Sequence, residues 1–259
     1  MTGAPAGDPV PAALRQAAAR AGLRLGPHHR SSRFSPGRLH RDRGLAPVLV
    51  DGDPWDAAAR LVHELAITGL DGGATVAAAA RSAGPSERAL VGWEGGQDPR
   101  WKVYLQNEHG FRDPGTGGPG PVVHLAVKGR PGRPAAWSTY ASVPAAGRAH
   151  LGTLVASVAG GLPVAGLAGA LAAPAPPPGP QDVLLVREDG SARRSLDLAA
   201  PRPRRPLDAW LALAAEALDH LGVEVDEREA LARAHGSAPV ARVAVGTDAR
   251  GAPFLTLYH

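Results

Sequence analysis

The chain has no cysteine in its 259 residues. That excludes disulfides and thiolate metal sites, and it fits a reducing compartment. Lysine is nearly absent too: Lys102 and Lys128 stand among 28 Lys+Arg. Aromatic residues make up 4%, so a core must come from Ala, Val and Leu, and the stacking platforms of single-strand nucleic-acid binders are scarce. No D-D-x-x-D box and no G-x-S-x-G occur, which speaks against a magnesium-held diphosphate site and a hydrolase nucleophile elbow. The start, "MTGAPAGDPVPAALRQAAAR", lacks the basic end and apolar run of a signal peptide, so a cytoplasmic location is expected.

The longest uncharged stretch, 151–180, is long enough to cross a bilayer. It is mostly Ala and Gly, holds Pro163 and ends in "PAPPPGP". A kinked, buried helix over 147–172 is expected there, and no membrane span. Net charge is +4, with one dense basic run, "PRPRRP" at 201–206. Spread-out arginines suit a small anionic ligand such as a diphosphate, so nucleic acid is not expected as a partner. "GTGGPG" at 115–120 spells a dinucleotide fingerprint but has no strand directly before it. "HH" at 28–29 has no third metal ligand nearby.

Along the chain, an Ala-rich segment (1–30) with a short helix at 11–21 precedes a single domain (31–259). A strand is expected at 45–50. A helix then opens at the N-cap Asp53 with Pro54 at its first position and runs past, or restarts after, Gly72–Gly73 to Arg81. Hairpins follow at "RALVGWEGGQDPRWKVYLQN", "PVVHLAVKGRPGRPAAWSTYASV", "DVLLVREDGSARRSLDLA" and "PVARVAVGTDARGAPFLTLYH". Helices separate them: the uncharged one, then "PLDAWLALAAEALDHLG" with Leu207, Trp210, Leu211, Ala214, Leu218 and Leu221 on one side, then a short acidic helix at 226–235. Hairpins parted by helices predict an α+β fold with an antiparallel sheet or barrel, not a parallel doubly wound sheet.

Strand side chains alternate between faces. Lys102 shares one with Arg100, Tyr104 and Gln106, while Trp101, Val103 and Leu105 point the other way. His124 and Lys128 alternate with Val123, Leu125 and Val127. Arg242 alternates with Val243, and Tyr258 with Leu257. Arg187 shares a face with Val183 and Leu185. A solvent-facing sheet accounts for polar faces in general, but these are nearly free of acids. If the sheet closes, Lys102, Lys128, Arg187 and Arg242 converge in a lumen.

The Lys-x-Tyr strand "WKVYLQ", the hairpin "ALVGWEGGQDPRWKVYLQ" and the final strand "FLTLYH" resemble the ABBA-fold aromatic prenyltransferases, nearest to the cyanobactin-type peptide prenyltransferases. The resemblance implies an antiparallel barrel of helix–hairpin repeats with helices outside. It implies metal-independent transfer of a short prenyl group, dimethylallyl, from its diphosphate to an aromatic small molecule or a peptide side chain, in natural-product or peptide-modifying biosynthesis. No cofactor and no metal are implied. Carried across, the diphosphate binders are Arg43, Lys102, Lys128, Arg187 and Arg242, and the tyrosines shielding the allylic cation are Tyr104, Tyr140 and Tyr258. The first hairpin, "HHRSSRFSPGR", lacks the family's acid; Glu94 and Asp51, with Asp42 beside them, stand in as the catalytic carboxylates. That missing acid also fits a second reading, a non-catalytic barrel that binds an anionic or peptide ligand with a partner protein.

Overall fold

A computed structural model describes residues 10–65, 83–95, 99–111, 120–130, 135–143, 150–172 and 182–259. Its strands are β1 (Arg24–Leu25), β2 (His29–Ser35), β3 (Arg38–His40), β4 (Arg43–Leu49), β5 (Arg88–Glu94), β6 (Arg100–Phe111), β7 (Val122–Gly129), β8 (Ala136–Ser142), β9 (Val183–Glu188), β10 (Arg194–Ala199), β11 (Arg242–Thr247) and β12 (Pro253–Tyr258). Its helices are α1 (Ala12–Arg20), α2 (Pro54–Glu64), α3 (Leu151–Val158), α4 (Ala165–Leu171), α5 (Leu207–Leu213), α6 (Ala215–His220) and α7 (Val225–His235).

The hydrogen-bonded order runs β4–β5–β6–β7–β8–β9–β10–β11–β12–β2, and β2 pairs back onto β4 through His29–Leu45 and Arg30–Gly44. The result is a closed antiparallel barrel of ten strands, with β1 and β3 as short additions to β4 and β2. Closure leaves no long unpaired edge among the described strands. The four hairpins read from sequence are the pairs β5–β6, β7–β8, β9–β10 and β11–β12. The chain divides into two compact units, residues 1–30, 42–107 and 126–136, and residues 31–41, 108–125 and 137–259.

In the first unit α2 packs against β5 and α1. The Asp53 side chain caps α2 by accepting from the Trp55 backbone N–H at 2.9 Å, and the Trp55 indole N–H donates to the Gly84 carbonyl at 3.0 Å. Ala46, Val48, Ala89, Val91, Trp93, Trp101, Val103 and Leu105 share one sheet face and are all buried. The continuation of α2 toward Arg81 lies outside the described residues, as does most of 115–120.

In the second unit Leu196, Leu198, Val243, Val245, Leu255 and Leu257 form one sheet face, packed with Leu207, Trp210 and Leu218 of α5 and α6 into a single core. Each such buried side chain is worth about 1.5–3 kcal/mol. The uncharged stretch is two helices rather than one kinked helix. Gly160 at φ 63° and Gly161 at φ 86° end α3, and Pro163 precedes α4. A left-handed backbone pair followed by proline cannot continue a helix. The next helix also divides, at Ala214 between α5 and α6, yet Leu207, Trp210, Leu211, Ala214, Leu218 and Leu221 are all buried as expected. Among the described residues no helix is long and apolar enough to cross a membrane.

Candidate functional site

In the first unit the face of β6 turned away from α2 carries Arg100, Lys102, Tyr104 and Gln106. Register places Glu94 of β5 opposite Arg100 and also opposite Arg43 of β4, while Lys102 lies opposite Gly92. The consequence is an ionic cluster on one carboxylate. Arg43 donates to Glu94 Oε1 at 2.7 Å, Lys102 Nζ hydrogen-bonds the same oxygen, and Arg100 lies 3.6 Å from Oε2. Lys102 and Arg43 are 5% and 7% exposed. Cations so deep are held only with a counter-charge, which Glu94 supplies. Tyr104 is half-buried beside the cluster, its ring over Gly92; a Cβ at Gly92 would stand 3.2 Å from that ring. Lys128, on β7, is buried as well, at 4% exposed.

Asp51 falls elsewhere. It lies beyond the end of β4, exposed, eight residues from Arg43, or about 26 Å of extended chain. The structure therefore does not bring it to Glu94, and the expected pair of catalytic carboxylates, Glu94 with Asp51, does not form. Asp42 contributes its backbone, accepting from the Gly95 N–H.

In the second unit the face opposite the helix-packed core carries Arg242, Tyr258, Asp197 and Tyr140. Arg242 lies across from Tyr258 in register. Its Nε donates to Asp197 Oδ1 at 2.6 Å and one terminal nitrogen donates to the Asp197 carbonyl at 3.2 Å. Two bonds to one residue fix the guanidinium in place. His124 meets Tyr140 edge-on, with ring centroids 5.7 Å apart. Burial, then the charge of Arg242, lowers its pKa from 6.5 to about 3, so the imidazole is neutral. Further along, the Arg33 guanidinium lies 4.0 Å above the Phe254 ring and Arg193 lies 5.6 Å from it. Arg193 pairs with Glu188 at 3.6 Å.

Arg187 does not join Arg242. It is opposite Arg194, in line with Leu185–Leu196 and Val183–Leu198, whose side chains pack into the helix core. The sequence expectation of convergence fails here because β9 ends its helix-facing row in an arginine. The pattern gives the parity of a strand but not which row faces the helices.

Asp197, Arg33, Arg193 and Phe254 escaped sequence reasoning, and His124 appeared only as one member of a polar row. Asp197 had a usable signal, since it alternates with the apolar Leu196 and Leu198.

No protein-family model matches the chain, and no curated protein matches it. Solved structures do. 6-Dimethylallyltryptophan synthase from Micromonospora olivasterospora, in complex with DMASPP and Trp, superposes with a TM-score of 0.54 at 15% identity, covering 90% of this chain and 81% of that one. 5-Dimethylallyltryptophan synthase from Streptomyces coelicolor gives 0.52 at 18%, covering 90% and 80%. AnaPT from Neosartorya fischeri gives 0.50 at 15%, covering 90% and 77%. The two synthases are named for tryptophan, and the expected nearness to cyanobactin-type peptide enzymes draws no support from these three. What the ten-stranded barrel and these superpositions establish together is the fold: this chain has the closed antiparallel barrel of the ABBA fold.

Proposed function

We propose that the protein is a transferase that moves a short prenyl group, dimethylallyl, from its diphosphate onto an aromatic acceptor, with Lys and Arg rather than a metal carrying the donor's charge. The observation that carries this reading is the cluster of Lys102, Arg43 and Arg100 on Glu94, on the strand face turned away from the helices and beside Tyr104. Neighbours with this fold are named as dimethylallyl-tryptophan synthases, and one holds DMASPP and Trp.

Ionisation breaks the allylic C–O bond, and the bond pair leaves on the diphosphate. Fixed cations stabilise the charge that develops on that oxygen. In this reading Lys102 and Arg43 exchange the Glu94 carboxylate for diphosphate oxygens when the donor enters. Arg242 and Lys128 serve as further donor contacts. Tyr104, Tyr140 and Tyr258 present ring faces to the allylic cation and exclude water from it. The acceptor's π pair then forms the new C–C bond, and the ring proton leaves to restore aromaticity. Glu94, freed from its cations, receives it.

The acceptor is an aromatic small molecule, a free amino acid such as tryptophan, or an aromatic residue in a peptide; nucleic acid is not a partner. The reaction belongs to cytoplasmic natural-product or peptide-modifying biosynthesis, and residues 31–259 act as one catalytic domain. The test is incubation with dimethylallyl diphosphate and tryptophan or an aromatic peptide, followed by mass. One added prenyl unit that is lost in Lys102→Ala supports the reading.

A second reading rests on a specific observation. Glu94 and Asp197 already hold the cations around them. A barrel whose cations are internally paired is suited to bind an anionic or peptide ligand with a partner protein and not to turn it over. Saturable diphosphate binding with no product for any acceptor supports that reading instead.

A further inference from the structure

We infer that His124 is an acceptor-binding residue, whose ring nitrogen takes a hydrogen bond from the aromatic N–H or O–H of the acceptor. This rests on the transferase reading above and names which wall of the second unit reads the acceptor.

Three observations on one strand face lead there. First, the ring is held. Its edge-on contact with Tyr140 fixes the plane, since an aromatic pair at 5.7 Å prefers this tilted arrangement. Second, its charge state is held. Arg242 is pinned by Asp197 through its Nε and a terminal nitrogen, so a second positive charge beside it is disfavoured. A neutral imidazole keeps one nitrogen as donor and leaves the other as acceptor. Third, the ring is desolvated without being sealed. Its accessible surface is intermediate, yet its surroundings suppress protonation strongly. The ring therefore keeps surface that a ligand can reach, on the sheet face that carries Tyr140 and Arg242. Among the described residues no hydrogen bond reaches either ring nitrogen, so the acceptor lone pair remains available for a ligand.

A site built to accept a hydrogen bond rejects an analogue without the donor, because a buried polar atom is then left unpaired. Tryptophan and 1-methyltryptophan form the matched pair, with dimethylallyl diphosphate as donor. Wild type should favour tryptophan in kcat/KM by about tenfold or more. His124→Leu should bring that ratio near one by losing activity on tryptophan alone, with the diphosphate Kd unchanged. His124→Gln, which retains an acceptor oxygen, should recover part of the preference. An unchanged preference in His124→Leu, or an equal loss on both substrates, overturns the inference.

A second measurement is independent of turnover. In diphosphate-saturated protein labelled at its histidine ring nitrogens, indole should shift the unprotonated His124 nitrogen and 1-methylindole should not. If wild type transfers to neither amino acid nor to any other aromatic small molecule or peptide, the transferase reading fails, and this spectrum still decides the inference: equal response to both indoles, or none to either, overturns it.

Discussion

Glu94 joins three cations, and that makes it the residue whose replacement separates structure from chemistry. Glu94→Gln keeps the shape but removes the charge that Arg43, Lys102 and Arg100 share. Diphosphate should then bind more tightly, because the carboxylate no longer competes for the same donors, while turnover falls and chemical stability to urea drops by about 1–3 kcal/mol. Calorimetric titration with diphosphate and steady-state kinetics check the two directions. Lys102→Ala should lower kcat/KM by about 100-fold or more, the scale of losing one preorganised donor to developing charge. His124 gives a pH signature. Its pKa falls from 6.5 in the unfolded chain to about 3 in the folded one. Below pH 6.5 the unfolded state binds a proton that the native state refuses, so stability falls on acidification through that window, by up to about 1.4 kcal/mol per pH unit. The facing charged group is Arg242, and Tyr140 faces the ring as an aromatic. Urea unfolding at pH 7 and pH 5 should show a smaller loss in His124→Gln than in wild type.

At the scale of elements, close backbone approach decides which strands can pair. A Cβ on Gly246 would stand 2.4 Å from the Ser195 Cα and 2.3 Å from the Arg194 carbonyl oxygen, both backbone atoms of β10. Gly246→Val should therefore disrupt the β10–β11 ladder and yield little folded protein, seen as lost cooperative melting. The contrast is Asp53→Ala, which removes only the cap of α2 and should cost about 1 kcal/mol. These elements also show what one-dimensional pattern carries. The hairpins β5–β6 and β9–β10 were legible because side-chain parity has period two and the turns carry Gly, Asp and Pro. The buried row of α5 and α6 was legible for the same reason with period 3.6. Partnerships were not: Arg43 meets Glu94 across 51 positions and Arg242 meets Asp197 across 45. Arg187 shows the opposite limit, since a correct parity still left open which face packs on helices.

At the scale of the whole molecule, ten paired strands close into one antiparallel barrel, and that fold is shared with two dimethylallyltryptophan synthases and AnaPT at 15–18% identity. Likeness of that degree fixes architecture and leaves the chemistry to be measured. If Lys and Arg carry the donor's charge, activity should survive exhaustive chelation with EDTA, and added magnesium should not be required. Product mass after incubating purified protein with dimethylallyl diphosphate and tryptophan, run beside Lys102→Ala, separates transfer from binding alone. One added prenyl unit on the acceptor with release of diphosphate is expected, with near-complete loss of that product in the variant. Diphosphate bound at Lys102 with no prenylated product from tryptophan or from any aromatic small molecule or peptide would contradict the transferase reading.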